Sequence, residues 1–324
     1  MTDQPVAVRP VVPGAVDSVL DLIGDTPLVR LGRLAGGLRA QVLVKLEGRN
    51  PGGSAKDRPA LQLIRDAEAA GALAPGQAVV ESTSGNTGIG LALVGRLTGH
   101  PVVIVHGGAM SAEKRALLAL YGAELVEADW SAGPEDPRNA RAVADRIAAA
   151  RGGWRSHQYD NPSNPSAHFA HTGPELWRQT GGAITHLVAG IGTGGTISGT
   201  GRFLKQASGG AVRVIGVSPV GSTYAGDPAG TIRVEGVGTT WPPSHWPENL
   251  DTSVADEVRT VSDDDAFGTV TALADQEALL LGPSSGMAVA AALDLAADLD
   301  ERHVVVVMAP DGATNYLHEL AARR

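Results

Sequence analysis

Lys56 stands directly behind a tight turn in Asn50–Arg58, "NPGGSAKDR", where two glycines and a proline set a backbone that bulky residues could not follow. The residues that follow, "AKDRPALQLIRDAEAAG", carry a helical pattern, which puts this lysine at a helix start. That end of a helix is already electropositive and disfavours an ammonium group. A solvated surface lysine is one reading. A P-loop lysine is not, because Asp57 follows where that motif requires a hydroxyl for magnesium.

Two further loops bear on what the lysine does. "GIGTGGT", Gly190–Thr196, lies between a strand pattern and a helix pattern, the setting in which backbone N–H groups hold an anion. Gly190, Gly192 and Gly195 satisfy GxGxxG, but a dinucleotide site needs an acidic residue at the end of the next strand, and "VRVIGV" ends in Ser218–Pro219. The hydroxyls of Thr193 and Thr196 suit a phosphate monoester instead. "STSGNTG", Ser82–Gly88, offers hydroxyls, an amide and helix-terminal N–H groups without a cation, equipment for a small carboxylate such as an amino acid's. Such clusters also occur as ordinary turn and cap chemistry. A phosphate cradle, a carboxylate cradle and a lysine together imply a phosphorylated aldehyde held as a Schiff base, with an amino acid as substrate.

Other polar clusters are weaker. In "SDDD", Ser262–Asp265, the serine is expected to cap a helix whose first-turn aspartates complement its dipole. His157, His168 and His171 lack a third placed ligand or a carboxylate, so no metal is expected.

The elements that must position these loops alternate. "QVLVKLE", "QAVVES", "PVVIVHG", "AELVEA", "ITHLVAG", "VRVIGVSP" and "HVVVVMAP" read as strands, with helical patterns between them. Apolar strands alternating with helices mean parallel sheets covered on both faces. The fold class is therefore α/β, in two domains, each a mainly parallel twisted sheet covered by helices. "HQYDNPSNPS" is read as the crossing between the layers, and Gly221–Asp251 as a long functional loop. Residues 50–161 are assigned to a smaller, mobile domain with the carboxylate loop, and residues 1–49 plus 162–324 to a larger one with the phosphate loop.

At 324 residues and 43% hydrophobic content the chain can bury two cores. The absence of cysteine excludes disulfides, thiolate metal sites and cysteine nucleophiles. A net charge of −9 argues against nucleic acid and anionic membranes as partners. The proline-rich start "MTDQPVAVRPVVPG" reads as a loose arm without a signal peptide, and apolar runs such as Val304–Ala309 are far too short to span a bilayer. A cytoplasmic protein is expected.

In order along the chain, "TPLVRL", "NPGGSAKDR", "TSGNTG", "QYDNPSNP", "GIGTGGTISGTGRFLK", "EGVG", "SSG" and "PDG" resemble the β-family of pyridoxal-phosphate enzymes, fold type II, whose architecture is tryptophan synthase β-like. Cysteine synthases and cystathionine β-synthases are its best-known members, and the resemblance spans nearly the whole chain. It implies pyridoxal 5'-phosphate on Lys56, which later carries the proton at the substrate Cα. It implies Asn86 on the cofactor's phenolic oxygen, Gly192, Thr193, Gly194, Gly195 and Thr196 on its phosphate, and Ser284 facing its pyridine nitrogen. Thr83, Ser84, Thr87 and Gln158 are implied to hold the substrate carboxylate, with Tyr159 beside them. A serine at the pyridine nitrogen makes the ring a weaker electron sink than an aspartate would, which favours elimination of a β-substituent followed by addition of a nucleophile.

Within the family, Glu235 in "VEGVG", Tyr159 and Asn315–Tyr316 look more like cystathionine β-synthases. Glu235 is read as catalytic, helping a serine hydroxyl leave or orienting a homocysteine amine, with a tie to the Gly221–Asp251 loop as the alternative. The haem-ligating cysteine of animal relatives has no counterpart, and the likeness is to the catalytic core without regulatory modules. "HGGAM", His106–Met110, and "TTWPPSHWPENLD" depart from the family pattern. The expected reaction is β-replacement on L-serine or an activated serine by a thiol, homocysteine first. The alternatives are cysteine synthesis from O-acetylserine and sulfide, and formation of a non-protein amino acid. A homodimer is the family's expectation.

Overall fold

The computed structural model describes residues 14–107, 110–129, 132–133 and 135–323. The arm at residues 1–13, and Gly108 and Ala109 of "HGGAM", lie outside the described residues. The strands are β1 (Leu28–Arg30), β2 (Gln41–Leu46), β3 (Val79–Ser82), β4 (Val102–His106), β5 (Glu124–Glu127), β6 (Trp154–Arg155), β7 (His186–Gly190), β8 (Arg213–Pro219), β9 (Glu257–Val261) and β10 (Val304–Ala309). The helices are α1 (Asp57–Ala69), α2 (Asn86–Thr98), α3 (Ala112–Leu120), α4 (Ala140–Arg151), α5 (Ser163–Ala167), α6 (Gly173–Gln179), α7 (Gly195–Ala207), α8 (Asp263–Glu277), α9 (Pro283–Ala297) and α10 (Leu317–Ala321). No helix among the described residues is long and apolar enough to cross a membrane.

Among the described residues two sheets form. One has six strands in the order β1-β2-β10-β7-β8-β9, the other four in the order β5-β4-β3-β6. All pairings are parallel except β1 with β2, where Leu28 faces Lys45 and Arg30 faces Leu43. The β-branched run of β10 sits between β2 and β7, and its residues alternate between two cores. Val305 and Val307 pack with α9 residues such as Met287 and Ala291. Val306 and Met308 face the opposite side, with Ile197 and Leu204 of α7 and Leu176 of α6. In the smaller sheet Val80, Val103 and Val105 pack on alanines of α4, while Val79, Val102 and Ile104 face α1 and α2. Burial on both faces explains why these strands read as continuous apolar runs.

Three departures from the sequence reading concern short elements. β1 and β6 are too brief to show a period. β9 is an edge strand, half-buried over Glu257–Arg259 without a clean alternation. After "HQYD" the polar crossing becomes helical from Ser163, through α5, a wide turn over His168–Thr172 and then α6. Pro162 and Pro165 look like breakers, but proline is tolerated in a first turn, where its missing N–H would be unpaired anyway. Ser262 caps α8 as expected: its Oγ accepts from the Asp265 N–H at 3.1 Å, with aspartates filling the first turn.

Candidate active site

The loops singled out above follow the carboxyl ends of β2, β3 and β7, where open α/β sheets place their ligands. Lys56 is the residue immediately before α1, entered through a turn in which Gly53 has φ +87°. Half-buried, it lines a cavity with Gly192, Thr193, Gly194, Thr196 and Gly236. Burial holds the Lys56 ammonium below the ordinary lysine pKa, while Asp311 and Glu47 pull it back up. Burial is thus the larger cause of a lysine that gives up its proton readily, and the helix terminus adds to it in the same direction.

The 192–196 loop leads into the N-terminus of α7. Gly194 has φ +81°, and a Cβ on Gly192 would lie 2.3 Å from the Gly236 carbonyl, so neither position admits a side chain. The loop is braced by residues the sequence reading did not assign to it. Asn164 Nδ2 donates to Thr193 Oγ1 at 3.1 Å, and Tyr224 Oη donates to the Gly192 carbonyl at 2.8 Å. His168 spans Thr172 Oγ1 at 2.9 Å and Thr196 Oγ1 at 3.2 Å. Burial pushes its pKa well below the usual histidine value, so it is neutral. The histidine weighed above as a metal ligand therefore uses both ring nitrogens on threonines.

At the other loop, Thr83 Oγ1 accepts from the Gly85 N–H at 3.2 Å and Ser84 Oγ from the Gly107 N–H at 3.2 Å. Thr87 Oγ1 donates to Gln158 Oε1 at 2.5 Å. Gln158 is fixed by its Nε2 on the Ser82 carbonyl at 3.0 Å and by its own N–H on the buried Glu81 at 2.9 Å. Four of the five residues read as substrate-binding thus share one stretch of the β3 edge. Tyr159 is the next residue along, its ring 4.2 Å from the Arg141 guanidinium, which also stacks on Trp241 at 4.3 Å. Asn86 opens α2 and is hydrogen-bonded to Asp311 and Asn315. Ser284 is buried in the first turn of α9, behind Pro283.

Glu235 stands apart. It is exposed, and its carboxylate pairs with the buried Lys114 of α3, whose Nζ lies 4.3 Å from the centre of the Tyr316 ring. The pair ties the Gly221–Asp251 loop to the smaller sheet's helix layer.

Beneath Lys56 lies a buried ionic cluster. Arg58 donates to Glu47 at 2.6 Å and to Glu175 at 2.9 Å, and Lys45 pairs with the same Glu175. Lys45 near the apolar end of β2 and Glu47 just after it are the signal that could have revealed it, since such charges are buried only when paired.

Small donors at 192–196 are equipped to hold one anion, hydroxyls and N–H groups at 83–87 a second, and a lysine inclined to be neutral lines the cavity of the 192–196 loop. That set fits an aldehyde carrying a phosphate, beside an amino acid. A family model described as "Pyridoxal-phosphate dependent enzyme" matches residues 19–311. Cysteine synthase B of Pseudomonas aeruginosa is 42% identical over 301 residues, covering 93% of this chain and 95% of that protein. Cystathionine beta-synthase of Apis mellifera is 40% identical over 309 residues, covering 92% of this chain and 60% of that protein. Among solved structures, an O-ureido-L-serine synthase aligns with a TM-score of 0.87 at 38% identity, covering 94% of each chain.

Proposed function

The chain belongs to the pyridoxal-phosphate dependent enzymes, and on that premise we propose that it catalyses β-replacement on an activated L-serine, with Lys56 carrying the cofactor. The observation that carries this reading is the placement of Lys56 in one cavity with the 192–196 loop. When bound, the cofactor supplies the electron sink that lets the substrate lose its α-proton and β-substituent. The chain's own residues do the rest. The Gly192–Thr196 loop and the α7 N-terminus hold phosphate. Thr83, Ser84, Thr87 and Gln158 hold the substrate carboxylate, and Asn86 and Ser284 flank the ring. Lys56, inclined by burial to be neutral, accepts the proton from Cα and returns it.

For the nucleophile, full-length relatives named cysteine synthase B weigh toward sulfide and cysteine formation. This shifts the balance from the homocysteine expected above. The Glu235–Lys114 pair and Asn315–Tyr316 keep an amino-acid thiol as the second reading. A homodimer in the cytoplasm belongs to the same reading. The test crosses donors (serine, O-acetylserine, O-phosphoserine) with nucleophiles (sulfide, homocysteine) and identifies products by mass. O-acetylserine with sulfide is expected to react fastest. Cystathionine from serine as the dominant product would replace that choice with the second reading, and no β-replacement with any pair would reject both.

A further inference from the structure

Asp311 follows β10 by two residues, and its backbone is fixed from two sides. It bridges Ser54 just ahead of Lys56, and its carbonyl accepts from the Gly282 N–H and from Ser285 Oγ, both at 3.2 Å, in the turn that carries Ser284. Its side chain is 1% exposed. Oδ2 accepts from Asn86 Nδ2 at 2.8 Å and from Tyr316 Oη at 2.7 Å, whereas Oδ1 is buried without a partner. A Cβ on Gly282 would come within 2.1 Å of that Oδ1, so the glycine leaves the carboxylate its seat. Burial pushes the Asp311 pKa up, opposed by the Tyr316 and Asn86 hydrogen bonds and by the charges of Lys114 and Lys56. A buried carboxylate with one unpaired oxygen costs stability, and fold maintenance does not account for it.

Its effect on Asn86 does. A primary amide has two N–H donors and one carbonyl oxygen. Asp311 takes one N–H of Asn86, and Asn315 Nδ2 donates to Asn86 Oδ1 at 3.1 Å. Turning the amide over would set its oxygen against a carboxylate and its NH2 against another NH2. We propose that Asp311 is a positioning residue that locks the Asn86 amide in the one orientation leaving its second N–H directed at the cofactor.

This inference rests on the cofactor reading above, and its test separates the two. Pyridoxal phosphate is titrated into apo-protein and followed by intrinsic fluorescence, for wild type, D311A, N86A and the double variant. D311A is expected to weaken binding about tenfold, the scale of one hydrogen bond to a charged group. The double variant should bind within about twofold of N86A alone, because Asp311 acts through that amide. D311N keeps an acceptor oxygen and should recover most of the affinity. If D311A does not fold, N315A releases the other side of the same amide, and its loss of affinity should likewise vanish in the N86A background. Losses that multiply in the double variant, or a D311A (or N315A) affinity equal to wild type, overturn the proposal alone. A wild-type chain that binds no pyridoxal phosphate overturns the cofactor reading and this one with it.

Discussion

At Lys56 a charge that looks misplaced at a helix start becomes useful once burial is added, because both disfavour the protonated form. The sequence shows the lysine, the turn before it and the helix after it, but not the depth of the site. That depth comes from walls supplied by separate segments, residues 189–196, Gly236 and Val237, and Met308 and Pro310. Asp311 was visible only as part of "PDG", since its partners Asn86 and Tyr316 meet it through the fold. Glu235 carries two readings, chemistry at the substrate and a tie to the Gly221–Asp251 loop, and its carboxylate is paired with Lys114. The pair is exposed on the Glu235 side and buried on the Lys114 side, and a glutamine keeps an acceptor oxygen for that ammonium. E235Q is therefore expected to change kcat/KM for O-acetylserine less than about threefold. Steady-state kinetics with both donors checks this, and a loss above tenfold confined to serine would instead assign Glu235 to departure of the hydroxyl.

At the scale of elements, long buried strands and their helices were legible because each presents an uninterrupted apolar run or an amphipathic period. β6 and the helical run from Ser163 to Gln179 were not, since the first has two residues and the second carries prolines in its opening turn. Two substitutions separate elements that build the site from elements that only build the fold. G192A places a methyl group against the Gly236 carbonyl and should lower pyridoxal-phosphate affinity at least about tenfold, measured by equilibrium titration of apo-protein. S262A removes the α8 cap and should cost about 1 kcal/mol in urea unfolding while leaving that affinity unchanged. Cofactor loss in S262A would mean that α8 communicates with the site.

Across the whole molecule, the 83–87 loop belongs to the smaller sheet and the 192–196 loop to the larger. A substrate whose carboxylate sits on the 83–87 loop while it reacts beside a phosphate held at 192–196 links the two sides, and so stabilises a closed arrangement by its differential affinity. Structures with and without a bound amino acid should differ by a rotation of roughly residues 85–150. Identical arrangements would remove closure from the mechanism. Stability should also carry the mark of a buried neutral histidine. Burial holds His186 at about 4, against the ordinary histidine value of 6.5. The unfolded chain therefore takes up a proton that the native state refuses, so stability present above pH 6.5 is lost as pH falls toward 4, by at most about 1.4 kcal/mol per unit. H186Q should flatten this slope in denaturant unfolding across that range, and an unchanged slope would show that His186 does not supply it.

The convergence of both sheets on one lysine is tested most directly by borohydride reduction of the purified protein, followed by proteolysis and peptide mass mapping. The expected result is a phosphopyridoxyl group on the peptide carrying Lys56, and none after K56A. A label fixed on Lys45, Lys114 or Lys205 instead, or no label after saturation with pyridoxal phosphate, would contradict it.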